Sequence, residues 1–334
     1  MGIFVFLFYD LNLSRTAEVA RELKLIYLIP ALACTTIWIL LKTLRWVTIV
    51  GITRKLIFWP SLYLYSTAQV ISVLLPALTG QAGRVLLFSK KGNFSKTYVF
   101  STAILEIVLD GAGLISLMLL ASTFFAFPEE YRFVSYIIAG ATLLVLIIFY
   151  CSLNFQSKLE SIGHRTLRRK SPKVYLIIRK FMRSFNEGIS ALRSTDKIFV
   201  MLAYTILSWI MHVGSVYFLF HAFNLDLPAS AAMVVIIVNY LALMVPITPG
   251  NLGSFQLAVV AALNIFAVPK TEGVLFSVIL YLIDMIPLLF FASFFVFKEQ
   301  FSIFDFSDDE ELIADVENLA TEAEKPVEEK GGAR

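Results

Sequence analysis

The sequence predicts an all-α polytopic membrane protein, built as an inverted-topology repeat with two re-entrant, broken helical hairpins. Three observations lead there. Apolar runs long enough to cross a bilayer recur along the 334 residues, of which 58% are hydrophobic and 30 are Phe. The pattern P-x-x-x-G-x-x-G occurs twice, as Pro76-Ala77-Leu78-Thr79-Gly80-Gln81-Ala82-Gly83 and as Pro246-Ile247-Thr248-Pro249-Gly250-Asn251-Leu252-Gly253. The basic loops, finally, are spaced so that each copy sits at the bend of a hairpin returning to the face it entered.

Each element follows from local composition. Gly2 to Tyr9 is apolar but too short to span, and reads as the end of a helix that begins outside this sequence or as a surface-lying segment. Leu25 to Leu41 is the first complete span, closed by Lys42, Arg45, Arg54 and Lys55. Leu56 to Leu75 leads into the first pattern, and a short helix from Arg84 to Phe88 meets the basic loop Lys90 to Lys96. Tyr98 to Phe127 spans and carries Glu106 and Asp110; after the polar turn Pro128-Glu129-Glu130, Phe133 to Leu153 returns.

From Phe155 to Ile198 eleven Lys/Arg face three acids, a net +8. Within it Val174, Ile177, Ile178, Phe181, Met182 and Phe185 follow helical spacing, an amphipathic helix suited to anionic lipid in the headgroup plane. Nucleic acid is not indicated, because this charge sits between spans and has no recognition motif. Ile198 to Phe223 spans, Pro228 to Val245 and Gln256 to Val268 flank the second pattern, and Val274 to Phe297 carries Asp284. The last stretch, Lys298 to Arg334, has twelve acids against four bases and reads as a disordered cytoplasmic tail. One transmembrane domain over 1–297 is expected: repeat one over about 25–127, a connecting span 133–153, a basic cytoplasmic segment 155–198, repeat two over about 198–297, and the tail 298–334.

Positive loops stay in the cytoplasm. With Lys42–Lys55, Lys90–Lys96 and Phe155–Ile198 all inside, Leu56 to Phe88 must enter and leave by the cytoplasmic face, and Pro228 to Val268 must be a hairpin entering from outside. The two halves then run in opposite senses.

Candidate site residues are of two kinds. Proline lacks a backbone donor and glycine weakens helix, so each pattern should break a helix at membrane depth, where broken backbone is tolerated only against protein or a cavity. A helix restarting after the glycines offers free N–H groups and a positive dipole end to a phosphate or carboxylate. Gly80, Gln81, Gly83 and Arg84 at the first tip, and Gly250, Asn251, Gly253 and Gln256 at the second, are therefore the candidate substrate-binding set. The second kind is the intramembrane acids: Glu106 and Asp110 share a helix face, and Asp284 ends a run parallel to theirs, so all three are candidates for handling protons or charge. The alternative is that these acids pair with a buried Arg such as Arg84. His212, Asn239, Gln69 and Asn264 read as interhelix hydrogen-bonding groups. Cys34 and Cys151 lie in apolar runs and the three histidines have no ligand spacing, so neither metal nor other cofactor is implied. No nucleophile elbow or soluble phosphate loop is present, and nothing in the residues asks for an enzyme.

At these residues the chain resembles the lysylphosphatidylglycerol synthetase transmembrane-region family, also called flippase-like membrane proteins. The family's Arg-Trp after an early span is matched by Arg45-Trp46, and its P-G-R-A-G-E-x-x-R by Thr79 to Leu87. Its E-R-x-x-D is matched by Glu106 to Asp110, and its P-x-x-P-G-G-x-G-x-x-E by Pro246 to Gln256. Gln81, Arg84, Leu87, Ile107 and Gln256 depart from the family's charged residues, while the glycine–proline frame is kept. The resemblance runs from about Leu25 to Phe297, and no stretch after Phe297 matches the soluble aminoacyl-transferase domain of two-domain members. It implies translocation of aminoacylated phospholipids or related polar lipids. The expected substrate here is a phospholipid, aminoacyl-lipid or lipid-linked precursor with an anionic or zwitterionic head group, moved across the cytoplasmic membrane. The rivals are a membrane enzyme acting on a lipid-linked phosphate, and a non-catalytic partner of a separate lipid-modifying enzyme.

Overall fold

The computed structural model describes residues 13–50, 56–74, 77–92, 94–124, 194–243 and 249–299, with a few single positions between 140 and 179. The expected connecting span 133–153, the amphipathic helix around Val174–Phe185, the segment Gly2–Tyr9 and the acidic tail lie outside the described residues. Among the described residues all regular structure is helical: α1 (Leu13–Glu22), a 3-10 turn (Leu25–Tyr27) running into α2 (Leu28–Val50), α3 (Phe58–Leu74), α4 (Ala77–Gly92), α5 (Lys96–Ser122), α6 (Thr195–Ala222), α7 (Ala229–Leu243), a 3-10 turn (Pro249–Asn251), α8 (Ser254–Asn264) and α9 (Lys270–Glu299). Leu25–Val50, Lys96–Ser122, Thr195–Ala222 and Lys270–Phe295 are long and apolar enough to cross a membrane, and α7 and α8 are shorter apolar helices. Large apolar side chains such as Ile29, Ile107, Leu119, Phe199, Ile206 and Phe290 stay exposed, as expected of surfaces facing lipid.

Helix α2 departs from the sequence reading. The expected span stopped at Leu41 and left Lys42 and Arg45 in a cytoplasmic loop. Instead α2 continues to Val50, with Thr43, Arg45, Trp46, Ile49 and Val50 buried. A helix absorbs two cations at depth when partners on neighbouring helices neutralise them, and these two have such partners.

The first break is also displaced. The sequence placed it at Gly80 and Gly83, yet α4 runs without interruption from Ala77 to Gly92 through both. Each glycine costs a helix interior about 1 kcal/mol, which a packed context absorbs. Helix α3 ends at Leu74 and α4 begins at Ala77. The second pattern behaves as expected: Gly250 and Gly253 have φ of 68° and 90°, Asn251 has φ of 55°, and α8 starts at Ser254.

The core is formed where the first span of each half meets the other. Thr35 and Ser215 hydroxyls are 2.9 Å apart, the Trp38 and His212 rings are 4.8 Å apart, and Arg45 Nη1 donates to Thr205 Oγ1 at 3.1 Å. Partner numbers fall on α6 as they rise on α2, so the two helices run antiparallel. Around this pair the packing is unchanged when the halves are exchanged: α3 packs on α4 as α7 on α8, α4 on α5 as α8 on α9, and α9 on α2 and α3 as α5 on α6 and α7.

Hydrogen bonds locate the helix ends. Lys24 N–H donates to Ala222 O, Asn224 Nδ2 donates to Glu22 O, and Arg15 pairs with Glu272 at 3.1 Å. The start of α2, the end of α6 and the start of α9 therefore share one face. At the other face the Tyr98 hydroxyl donates to Val50 O at 3.4 Å, which joins the end of α2 to the start of α5.

Candidate functional site

Charge enters the bundle core on α2. Lys42 and Arg45 stand at i and i+3, so they share a helix face, and that face meets α5 and α6. Arg45 Nη1 lies 2.8 Å from Asp110 Oδ1 and Lys42 Nζ 3.1 Å from Asp110 Oδ2. The Arg45 side chain is 1% exposed. Glu106, one turn before Asp110 on α5 and 2% exposed, lies within electrostatic reach of both cations. By formal charge the four side chains sum to zero, and that balance lets them sit inside a bundle. Thr205, which receives the Arg45 N–H, turns its own hydroxyl to Met201 O.

A second pair lies on the other half. His212 on α6 has Nε2 3.7 Å from Asp284 Oδ2 on α9, and both residues are buried. The imidazole is bounded by Trp38 of α2 and by Tyr240 of α7, whose ring centroid is 5.8 Å away. Tyr240 also lies within electrostatic reach of Asp110, so the two pairs share one polar interior.

The pairs occupy matching registers. Counted from the first residue of each helix, Leu28 for α2 and Thr195 for α6, Arg45 and His212 hold the same position. Counted likewise from Lys96 on α5 and Lys270 on α9, Asp110 and Asp284 also coincide. The cross-contacts match too: Trp38 on α2, touched by His212, and Thr205 on α6, touched by Arg45, stand at one shared position. Glu106 is matched by Leu280 and Lys42 by Trp209, so the first half carries the additional charges.

The second tip is held by its own side chains. Gln256 Oε1 accepts from Gly253 N–H at 2.6 Å, Ser254 Oγ donates to Asn251 O at 3.1 Å, and the Tyr281 hydroxyl donates to Gly250 O at 2.9 Å. The tip packs on α3 of the first half. Gln256 thus satisfies its own turn, and its carbonyl oxygen is occupied within it. At the first pattern, Gly83 is buried inside α4, so Gly80 and Gly83 flank no free helix start. The side chains of Gln81 and Arg84 lie outside the described residues.

Sequence reasoning therefore anticipated Asp110 and Asp284 as matched acids but missed the side chains that meet them, Arg45 and Lys42 for Asp110 and His212 for Asp284. Asp110 pairs with Arg45 and Lys42, where Arg84 had been the suggested partner. A signal was present: Trp46-Val47-Thr48-Ile49-Val50 after Arg45 is apolar enough to carry the helix past both charges. His212, read as a hydrogen-bonding group, faces the acid of its own half.

A family model described as the lysylphosphatidylglycerol synthase TM region matches residues 1–292 of the chain. The chain is also similar to the UPF0104 membrane protein MJ1078 of Methanocaldococcus jannaschii, at 24% identity over 225 residues that cover 67% of this chain and 91% of that protein. No solved structure matches.

Proposed function

Since the chain belongs to the lysylphosphatidylglycerol synthase transmembrane-region family, we propose that it moves a polar or charged lipid between the leaflets of the cytoplasmic membrane and is not itself an enzyme. The observation that carries this reading is the Lys42–Arg45–Glu106–Asp110 cluster between α2, α5 and α6, with Arg45 and Glu106 buried and Lys42 and Asp110 half-buried. Charges are expensive in a membrane protein's interior, and those that persist there mark substrate or ion pathways. Arg45 Nε and Nη2 have no hydrogen-bond partner among the described residues. They offer a planar pair of donors to a head-group phosphate or carboxylate. The acids Glu106, Asp110 and Asp284 compensate and relay charge as a head group passes.

The architecture is read as an inverted-topology repeat. Its support is the antiparallel α2–α6 pair, the packing that survives exchange of halves, and the register match of Arg45–Asp110 with His212–Asp284. Helices α3, α4, α7 and α8 have 17, 16, 15 and 11 residues. At about 1.5 Å per residue each is shorter than the ~30 Å hydrocarbon core. The chain nevertheless returns to the face it left, between Val50 and Tyr98 and again between Ala222 and Glu272. Two hairpins re-entering from opposite faces satisfy both facts. Such opposed broken helices are where transporters of this design hold substrate. The second tip, with Gly250, Asn251 and Gly253, then lies against the head group. The basic segment 155–198 holds anionic lipid, and the acidic tail lies in the cytoplasm, where a lipid-modifying enzyme is the partner it suits.

The test is lipid movement in vesicles of phosphatidylcholine carrying a trace of tail-labelled phosphatidylglycerol. The reconstituted protein is expected to expose inner-leaflet label to an impermeant reductant, and Arg45→Ala to slow that exposure. Exposure no faster than in protein-free vesicles, repeated with labelled aminoacylated and zwitterionic lipids, would remove the reading. Chemical turnover of a lipid phosphate in detergent would favour the enzyme instead.

A further inference from the structure

We propose that His212 and Asp284 form a proton-binding site, the titratable counterpart of the fixed Arg45–Asp110 ion pair, seated where the two halves of the molecule meet. The register match motivates it. At one position of the repeat the first half places a guanidinium, which keeps its charge; at the same position the second half places an imidazole. Imidazole is the side chain whose charge ordinarily changes between roughly pH 5 and 8. The first half is therefore permanently ion-paired, while the second is paired only when it holds a proton.

The geometry differs in the same sense. Arg45 and Asp110 are in contact at 2.8 Å, whereas His212 and Asp284 stand 3.7 Å apart, beyond hydrogen-bond length. His212 Nδ1 and Asp284 Oδ1 have no hydrogen-bond partner among the described residues, a condition that Arg45 Nε, Arg45 Nη2 and Asp110 Oδ1 share, so the separation is what distinguishes the pairs. Neutral imidazole has one acceptor nitrogen and the carboxylate accepts only, so the pair has vacant capacity for one proton. A proton taken from water makes both ring nitrogens donors and lets the pair close.

The groups facing the imidazole agree with this. From α9 comes Asp284; from α7 comes the Tyr240 ring; from α2 comes the Trp38 ring. Lys42 lies over the same indole, 4.8 Å from its centroid, but its charge is met by Asp110. On α5, Asp110 is engaged by Lys42 and Arg45, and Glu106 lies in their field. Tyr281 on α9 spends its hydroxyl on Gly250 O. Asp284 is thus the acid left to His212. Because Trp38 belongs to the first half and His212 to the second, an imidazolium adds a cation–π contact across the α2–α6 interface. Proton occupancy is thereby tied to how firmly the halves hold each other, whether or not the cargo is lipid.

The same indole makes the site measurable without any substrate, because protonated imidazole quenches a stacked tryptophan. The full chain in nanodiscs is titrated by intrinsic fluorescence, with Trp38→Phe as the reference that isolates Trp38 among the four tryptophans. The wild type is expected to lose at least half of the Trp38 signal in one step on acidification. His212→Gln is expected to abolish the step, and Asp284→Asn, which leaves the imidazole in place, to move its midpoint by more than tenfold in proton concentration. A step that persists in His212→Gln, no step in the wild type, or an unmoved midpoint in Asp284→Asn would each overturn the site. The readout needs no transported lipid, so failure of the lipid-movement assay leaves this result interpretable.

Discussion

Arg45 on α2 and Asp110 on α5 form a 2.8 Å ion pair with the guanidinium all but excluded from the surface. Breaking such a pair from one side leaves an uncompensated buried charge, at a cost of about 3–5 kcal/mol. Arg45→Ala is therefore expected to lower stability strongly in denaturant unfolding in detergent. Arg45→Ala combined with Asp110→Asn leaves Lys42 against Glu106 and is expected to recover part of the loss. A double variant no better than the single would mean that the guanidinium acts through packing.

The α2–α6 interface can be trapped covalently. A Cβ added at Gly214 would lie 3.3 Å from Cys34 Sγ, within the reach of a disulfide. Gly214→Cys in a Cys151→Ser background is expected to cross-link to Cys34 on mild oxidation, seen as a band that reduction removes. Absence of that band would contradict the antiparallel pairing of these helices.

Gly113 on α5 permits a close approach to α6. A Cβ there would overlap the indole of Trp209, which is buried and packs against Tyr240 at 4.8 Å between ring centroids. Gly113→Ala is expected to cost roughly 1–3 kcal/mol, the usual range for overpacking. Adding Trp209→Leu should relieve the clash, so a non-additive double variant in thermal unfolding is the diagnostic.

At the second tip, Gly253 has a φ of 90°, which L side chains rarely adopt. Gly253→Ala is expected to cost about 1–3 kcal/mol through backbone strain. Gln256→Leu strands the buried Gly253 N–H and is expected to cost a similar ~1–3 kcal/mol. Both can be read by thermal unfolding. Gly80→Ala lies within a helix and is expected to be neutral or stabilising, which separates the two patterns.

Membrane orientation follows from pairing the helix ends with the basic loops. The face carrying Asp226 and Lys270 is expected outside, and that carrying Lys90 and Thr195 inside. In intact cells, Asp226→Cys and Lys270→Cys in a cysteine-free background should react with an impermeant thiol reagent, and Lys90→Cys and Thr195→Cys should not. Reaction of Lys90→Cys from outside would invert or remove this orientation.

What the sequence determined alone is what depends on neighbours along the chain. The apolar runs specify helices because, in lipid, a helix satisfies its own backbone. Gly250 and Gly253 turn the chain just before α8 because positive φ is a local property of glycine. The parallel runs ending in Asp110 and Asp284 revealed the matched acids. Tertiary structure decided the rest. Whether Gly80 and Gly83 interrupt a helix depended on packing, since glycine only weakens a helix by about 1 kcal/mol. The apolar run Trp46 to Val50 allowed the helix to continue past Lys42 and Arg45, but only the carboxylate brought by α5 makes their depth tolerable, and that partner is decided by packing. His212 on α6 meets Asp284 on α9 for the same reason. A charge's fate in a membrane protein is set by the partner another helix brings to it, and no window along the chain contains that partner.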